Sequence, residues 1–368
     1  MCAKLTAQQD FDNRREKLLR GLNIKDGIGV EIGALCRPFV RRDKGRVIYV
    51  DYTDSATLRE KYRNDPGVNI DEIVEVDAIW GENTLRDAVH GQYVDYVVAS
   101  HVIEHVPDLI TWLREISSIL KPQGEVRLIV PDRRFTFDCA REDTRLTDIM
   151  LSYLVRARVP QPHSLIDYVM NAVKVSGTDI WTGQATSRTA EKHHNWQDAL
   201  AVARDVMENK TYHDTHCWTF TPSSFAELMG RISMTGLVDF ACEGFHDTVY
   251  MGTEFFVSLR RSKEPEYISA SWNRMARAAD SASPGDFLWR GRRFIRQAIK
   301  RSDGIFSAWG SGRSPGRAHP LDAIEPLPFP TDFDPVAYLA ANPDVRLAEA
   351  DPVTHFKHFG WREGRSIA

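Results

Sequence analysis

Cysteine is sparse in this chain, long apolar runs are missing, and neither sign of charge prevails. The five cysteines (Cys2, Cys36, Cys139, Cys217, Cys242) are odd in number, far apart and in no C-x-x-C pair. That excludes a disulfide framework and a zinc knuckle, and it fits reduced thiols. No apolar run reaches the roughly 20 residues needed to span a bilayer. The first twenty residues alternate charges (Lys4, Asp10, Arg14, Arg15, Glu16, Lys17) and hold no signal-peptide core. The expected location is the cytoplasm, with attachment to the inner face of the membrane as the furthest departure from it. A formal charge of −4 over 368 residues gives no general attraction for nucleic acid, and none is expected as a partner. No internal repeat is present.

What is present is a soluble-protein composition, 42% hydrophobic and 27% charged, long enough for one large α/β domain with a smaller appendage. Residues 1–26 read as a polar lead-in with an amphipathic helix over Phe11–Leu22. Short β-branched runs follow at Ile28–Ile32, Val47–Val50, Glu72–Val76, Tyr93–Ala99 and Val126–Val130, with helical stretches between them. This alternation predicts βαβ crossovers and a parallel sheet. Leu109, Leu113, Ile116 and Leu120 keep helical spacing until Lys121-Pro122-Gln123-Gly124 ends the helix. Residues 139–216 read as a helical insertion rich in His and Trp. Thr221-Pro222 starts a helix that ends at Gly236, and extended runs at Leu237–Phe245 and Glu254–Leu259 predict a closing antiparallel hairpin. The domain is expected to span 27–261, followed by a linker over 262–330 and a small helical tail over 331–368.

The chemistry-bearing residues fall at the strand ends. Open parallel sheets bind ligands beyond the carboxyl ends of their strands, where strand order reverses. The first strand runs into Glu31-Ile32-Gly33-Ala34, and a glycine there lets backbone approach a ligand. The second ends in Asp51-Tyr52, where an acid can accept both hydroxyls of a ribose. The third ends in Asp77-Ala78, placed for an adenine amino group. The fourth ends in Ser100-His101.

These pieces resemble class I S-adenosylmethionine-dependent methyltransferases: EIG at 31–33, Asp51, VDA at 76–78, SHVIEHVPD at 100–108, LKPQG at 120–124 and VPD at 130–132. The resemblance covers about residues 25–135 strongly and 215–260 more loosely. It implies a Rossmann-like, mostly parallel seven-stranded sheet and S-adenosylmethionine as cofactor. It also implies a cofactor site of Glu31, Gly33, Ala34, Asp51, Tyr52, Asp77, Ala78, Ser100 and His101. Within that site Gly33 carries the methionyl part, Asp51 the ribose and Asp77 the adenine. The usual GxGxG becomes Gly33-Ala34-Leu35, a departure that removes two later glycines. A sub-family with EIGAL followed by Arg and Pro, together with PDRRFTFD and HCWTFTP segments, is more similar still. That group accompanies bacterial surface-polysaccharide enzymes.

His101, Glu104 and His105 spell H-x-x-E-H, which also matches an inverted zinc-protease motif. The run begins at a strand end and meets Pro107 at once, which disfavours that reading. A divalent ion on the triplet is a second reading, by similarity to the E-x-x-E-H run of ubiquinone-pathway O-methyltransferases; His101 departs from that run, and no metal ligand is assigned. Methyl transfer to oxygen needs a base as the new bond forms, and His105 is the first candidate, with Asp132 the second. His193, His194, Trp196, His213, Asp214 and His216 suit a sugar-like acceptor under an insertion lid, and equally a structural cluster or part of a metal site.

Phe287–Arg301 carries six basic residues and no acid; such a helix can lie on anionic lipid or dock on its own domain. The tail, with YLAANPDV and HFGWREGR, resembles a module appended to bacterial glycosyltransferases, and reads as a contact for other glycan-assembly proteins. The leading expectation is O-methylation of a sugar hydroxyl on a glycan or lipid-linked acceptor. A non-catalytic scaffold and a small-metabolite methyltransferase are the alternatives.

Overall fold

The computed structural model describes residues 7–81, 83–279, 333–342 and 352–355. Two compact units divide the chain, 1–302 and 303–368. In the first, α1 (Ala7–Leu19) leads to β1 (Ile28–Ile32), β2 (Arg46–Asp51), α2 (Ser55–Lys61), β3 (Ala78–Ile79), α3 (Leu85–Ala88), β4 (Val94–Ser100), α4 (Leu109–Ile119) and β5 (Leu120–Pro131). An insertion holds α5 (Leu146–Leu154), α6 (Pro162–Asn171), β6 (Val173–Lys174), α7 (Gly177–Thr182), β7 (Glu191–Lys192) and α8 (Trp196–Asn209). Then come α9 (Pro222–Met234), β8 (Phe240–His246), β9 (Glu254–Arg261) and α10 (Pro265–Ala278).

Seven strands form one sheet in the order β3-β2-β1-β4-β5-β9-β8. Parallel pairs join β3 through β5, and β9 runs antiparallel to both β5 and β8. This is the Rossmann-like, mostly parallel sheet expected, and its order reverses between β1 and β4. The central strands are apolar on both faces, as strands covered by helices on each side must be. Val30, Val97, Val98, Leu128 and Ile129 are all fully buried. On α4, Leu109, Leu113 and Ile116 share the buried face, and Asp108 caps the helix by accepting from the Thr111 N–H at 2.9 Å. Thr221 and Pro222 start α9 as expected, with Ser224 completing a capping box.

Several expectations are corrected. The run Glu72–Val76 is not a strand: a 3-10 turn occupies Ile70–Glu72, and pairing with β2 is confined to Ala78 and Ile79. Lys121–Gly124 loops out of register inside β5, which pairs with β4 at Leu120 and again from Glu125. The insertion contains a two-residue ladder, β6 with β7, besides its helices. Residues 265–278, expected to belong to a linker, form α10, which buries Ile268, Trp272 and Met275 at i, i+4, i+7 spacing in the main core.

In the second unit, the tail shows α11 (Pro335–Ala341) and α12 (Pro352–His355). Asp334 caps α11, and Tyr338 is buried with its ring 5.1 Å from that of Phe333. The basic segment 287–301 lies outside the described residues. Among those described, no helix is long and apolar enough to cross a membrane.

Trp272 is fully buried and donates its indole N–H to the Phe240 carbonyl at 2.8 Å. Trp272→Ala leaves a large cavity and an unpaired acceptor, and should cost about 3–5 kcal/mol in denaturant unfolding. A loss below 1 kcal/mol would place α10 outside the cooperative core.

Candidate active site

The turn after β1 is held on both sides. Gly33 donates its N–H to the Val50 carbonyl at 2.9 Å, next to the end of β2. A Cβ at Gly33 would come within 2.9 Å of Val102 Cγ2, beyond the end of β4, and φ is +69° there. Only glycine satisfies both demands. Leu35, where the second glycine of a GxG turn would stand, also takes a left-handed φ of +46°. The missing glycine is replaced at a conformational cost to Leu35, not by a different turn. Ala34 is buried in a core cluster with Phe39, Val40 and Tyr49.

Asp51 ends β2. Its Oδ1 accepts the Tyr52 N–H at 2.8 Å, the one hydrogen bond to this carboxylate among the described residues. Burial pushes its pKa up to about 6, and Asp214 adds to the rise. Tyr52 stacks on Tyr212 at 5.9 Å, with the Lys61 ammonium 5.0 Å from the Tyr52 ring. Lys61 donates to Asp214 Oδ2 at 2.8 Å, and Asp214 Oδ1 lies 3.0 Å from His105 Nδ1, a contact bent away from hydrogen-bond linearity. His105 and Lys61 hold the Asp214 carboxyl well below its ordinary range against the opposing effect of burial. Polar and aromatic side chains therefore run without a break from the end of β2 to the loop after β4.

At that loop His101 takes a φ of +53° and donates its N–H to the Ile129 carbonyl at 3.0 Å. This left-handed turn is rare for a side-chain-bearing residue, and such strain gathers at functional sites. His101 Nε2 is 2.8 Å from Glu254 Oε2, and Glu254 is also held by Arg14 of α1 through two bonds of 2.6 and 2.8 Å. Burial pulls the His101 pKa down, and Glu254 and Glu104 outweigh it to give a net rise. His105 and His216 meet edge to face at 4.7 Å, and His216 Nδ1 is 2.5 Å from Asp138 Oδ2.

Other expected site residues are occupied elsewhere. Asp77 pairs at the level of Tyr49, two residues short of the end of β2. Its carboxylate accepts the Tyr49 N–H at 2.8 Å and the Arg42 guanidinium at 2.8 Å. It ties β3 to β2 through these bonds, which engage both oxygens of the carboxylate expected to meet the adenine. Ala78 is buried in β3 opposite Val50. Glu31 is buried and accepts the Phe39 and Val40 N–H groups at 2.7 and 2.8 Å, so it closes the loop between β1 and β2; burial lifts its pKa to about 7. Asp132 is 0% exposed and fully engaged, by Arg134 at 2.7 to 3.2 Å and by the Thr248 hydroxyl at 2.8 Å. With no exposed oxygen it cannot serve as a base toward an acceptor. Ser100 lies at the end of β4 opposite Ile129.

The insertion residues separate. Asp214 and His216 join the site. His213 is turned to Asp205 at 2.7 Å, and His193, His194 and Trp196 are exposed. Lys61, Tyr212 and Glu254 carried no sequence signal of their own, since each belongs to an ordinary helix, loop or strand and is recruited by packing, and Asp138 was marked only as the end of the PDRRFTFD segment.

A Rossmann-like sheet with a glycine turn after β1 and an acid ending β2 defines a nucleoside-cofactor enzyme. Residues 27–232 match the methyltransferase-domain family, and the chain belongs to that family. It is an S-adenosylmethionine-dependent methyltransferase. Among solved structures, an S-adenosylmethionine-dependent methyltransferase from Mesorhizobium loti is 13% identical, with 68% of this chain and 100% of that one covered at a TM-score of 0.34. The CcbJ methyltransferase from Streptomyces caelestis is 11% identical, with 68% and 96% covered and a TM-score of 0.35. The DhpI complex with SAH is 14% identical, with 70% and 87% covered and a TM-score of 0.32. No curated protein matches the chain.

The residues present fit the cofactor. Gly33 lets bare backbone of the turn after β1 pack against Val102 beside the strand ends, and Asp51 has acceptor capacity left for ribose hydroxyls. Asp51→Asn should weaken S-adenosylmethionine binding about 10- to 100-fold in calorimetry, the range of one or two charge-assisted hydrogen bonds. The same variant should melt higher than wild type at pH 7.5 without ligand. The folded carboxyl binds its proton more tightly than the unfolded one, at about 6 against 3.8. Its contribution to stability is therefore full below about pH 4 and is lost as pH rises through 6. An apo melting temperature that drops at pH 7.5 would contradict this.

Proposed function

We propose that the chain transfers the methyl group of S-adenosylmethionine to a sugar hydroxyl of a bacterial cell-surface glycan or its lipid-linked precursor. The observation that carries this reading is the unbroken wall from Asp51 and Tyr52 through Tyr212, Lys61 and Asp214 to His105. Aromatic faces can stack on sugar rings while the charged and imidazole groups bond hydroxyls. The cofactor supplies a sulfonium methyl for in-line displacement. The chain's own residues align the hydroxyl with it and exclude water, and the hydroxyl proton is lost into the imidazole-lined end of the wall. Asp214 orients the His105 ring there. The EIGAL, PDRRFTFD and HCWTFTP segments support a surface-polysaccharide setting. The tail 331–368 and the basic segment 287–301 would then bring the enzyme to glycan-assembly partners and to the inner membrane face.

Purified enzyme with tritiated S-adenosylmethionine should label glycan isolated from a strain lacking this gene, in an alkali-stable form, as an ether is. Tyr212→Ala should raise KM for that acceptor up to about tenfold, the worth of one aromatic contact. Label that enters only protein or small metabolites would overturn the glycan assignment.

A further inference from the structure

Beyond the transfer reaction, we propose that Glu104, His105 and His216 form a binding site for one divalent transition-metal ion. Glu104 sits in the 3-10 turn Ile103–His105, is 0% exposed, and neither carboxylate oxygen has a hydrogen-bond partner. A buried carboxylate without donors is strongly disfavoured unless a cation meets it. Around it, the Nε2 atoms of His105 and His216 each lie 4.0 Å from Oε1. One ligand atom from each of the three residues can be chosen so that all lie within 4.8 Å of one another. An ion about 2.1 Å from each ligand would set neighbouring ligand atoms about 3.4 Å apart in tetrahedral geometry, so a small inward shift closes the shell.

The outer partners point the same way. His216 has its Nδ1 on Asp138 at 2.5 Å, and His105 has its Nδ1 beside Asp214 at 3.0 Å. The Asp138 hydrogen bond leaves the Nε2 of His216 on the Glu104 side, the arrangement that outer-shell carboxylates give metal-ligating histidines, and the charge of Asp214 stands on the Nδ1 side of His105. Asp138 is itself fixed by Arg141 at 2.8 Å, which keeps the His216 partner in place. His101 is oriented likewise by Glu254 at 2.8 Å, with its Nδ1 3.6 Å from Glu104 Oε1, beyond hydrogen-bond distance. Two imidazoles and one carboxylate suit zinc, iron or nickel better than magnesium, which takes oxygen ligands. Three protein ligands leave a fourth position open.

The site stands on this geometry alone; only its part in catalysis rests on the proposed function. There the open position would take the acceptor oxygen and ease loss of its proton. The test uses full-length protein stripped with chelator and titrated with Zn2+, Co2+ and Mg2+ by calorimetry, with the visible spectrum of Co2+ and the melting temperature as further readouts. One equivalent of Zn2+ or Co2+ should bind, with imidazole-ligated Co2+ absorption and a rise in melting temperature. Glu104→Gln and His216→Asn should each lower Zn2+ affinity at least about 30-fold and remove that rise, while keeping wild-type S-adenosylmethionine affinity. The last readout shows that a variant is folded and separates this proposal from the methyltransferase reading. Stripped wild-type protein that binds S-adenosylmethionine yet takes up no Zn2+ or Co2+, or that prefers Mg2+, would overturn the site; so would variants that bind Zn2+ as wild type does.

Discussion

Parallel pairing on both flanks of β1 is the constraint from which the site follows. With β2 on one side and β4 on the other, the connections leave the sheet in opposite directions and open a crevice at the carboxyl ends. Gly33 spans that crevice. Its N–H is tied to Val50, and its missing side chain admits the Val102 methyl. A larger residue would push the β4 loop away and carry His101, Glu104 and His105 with it.

Charge is placed along this crevice with some economy. Carboxylates that would be costly alone are shared: Asp214 between Lys61 and His105, Glu254 between Arg14 and His101, Asp138 between Arg141 and His216. Buried ion pairs seldom add much net stability, because desolvation offsets the Coulomb gain. Their effect here is orientation, with each histidine held by one ring nitrogen and the other turned inward. Glu104 is the exception in the set, buried without a donor. Two of the left-handed side-chain-bearing residues, Leu35 and His101, fall in the loops after β1 and β4 that border the crevice.

The insertion is where sequence and structure part most. Its cluster of histidines reads as one group along the chain, yet helix α8 and the loop after it send Asp214 and His216 inward and leave His193 and His194 in solvent. Capping by Asn195 and the left-handed Lys210 set where α8 begins and ends. The two residues that matter follow that stop by four and six positions, in an extended segment whose Trp218 N–H returns to the Glu104 carbonyl at 3.1 Å.

Local chemistry along the chain was enough to specify the alternating βαβ order, the cap at Thr221, the glycine turn at Gly33 and the acid at Asp51. Each depends on neighbours within a few residues and on side-chain periodicity. It could not tell an acid that meets a ligand from one consumed by the fold, because Asp77, Asp132 and Asp51 each follow a run that reads as a strand in the sequence. Only packing decided that Arg42 and Tyr49 would take the first and Arg134 and Thr248 the second, leaving the third with room to accept. The same holds for Glu104, His105 and His216. The last of these is more than a hundred residues from the others, and such a meeting is set by tertiary contacts that no local pattern records.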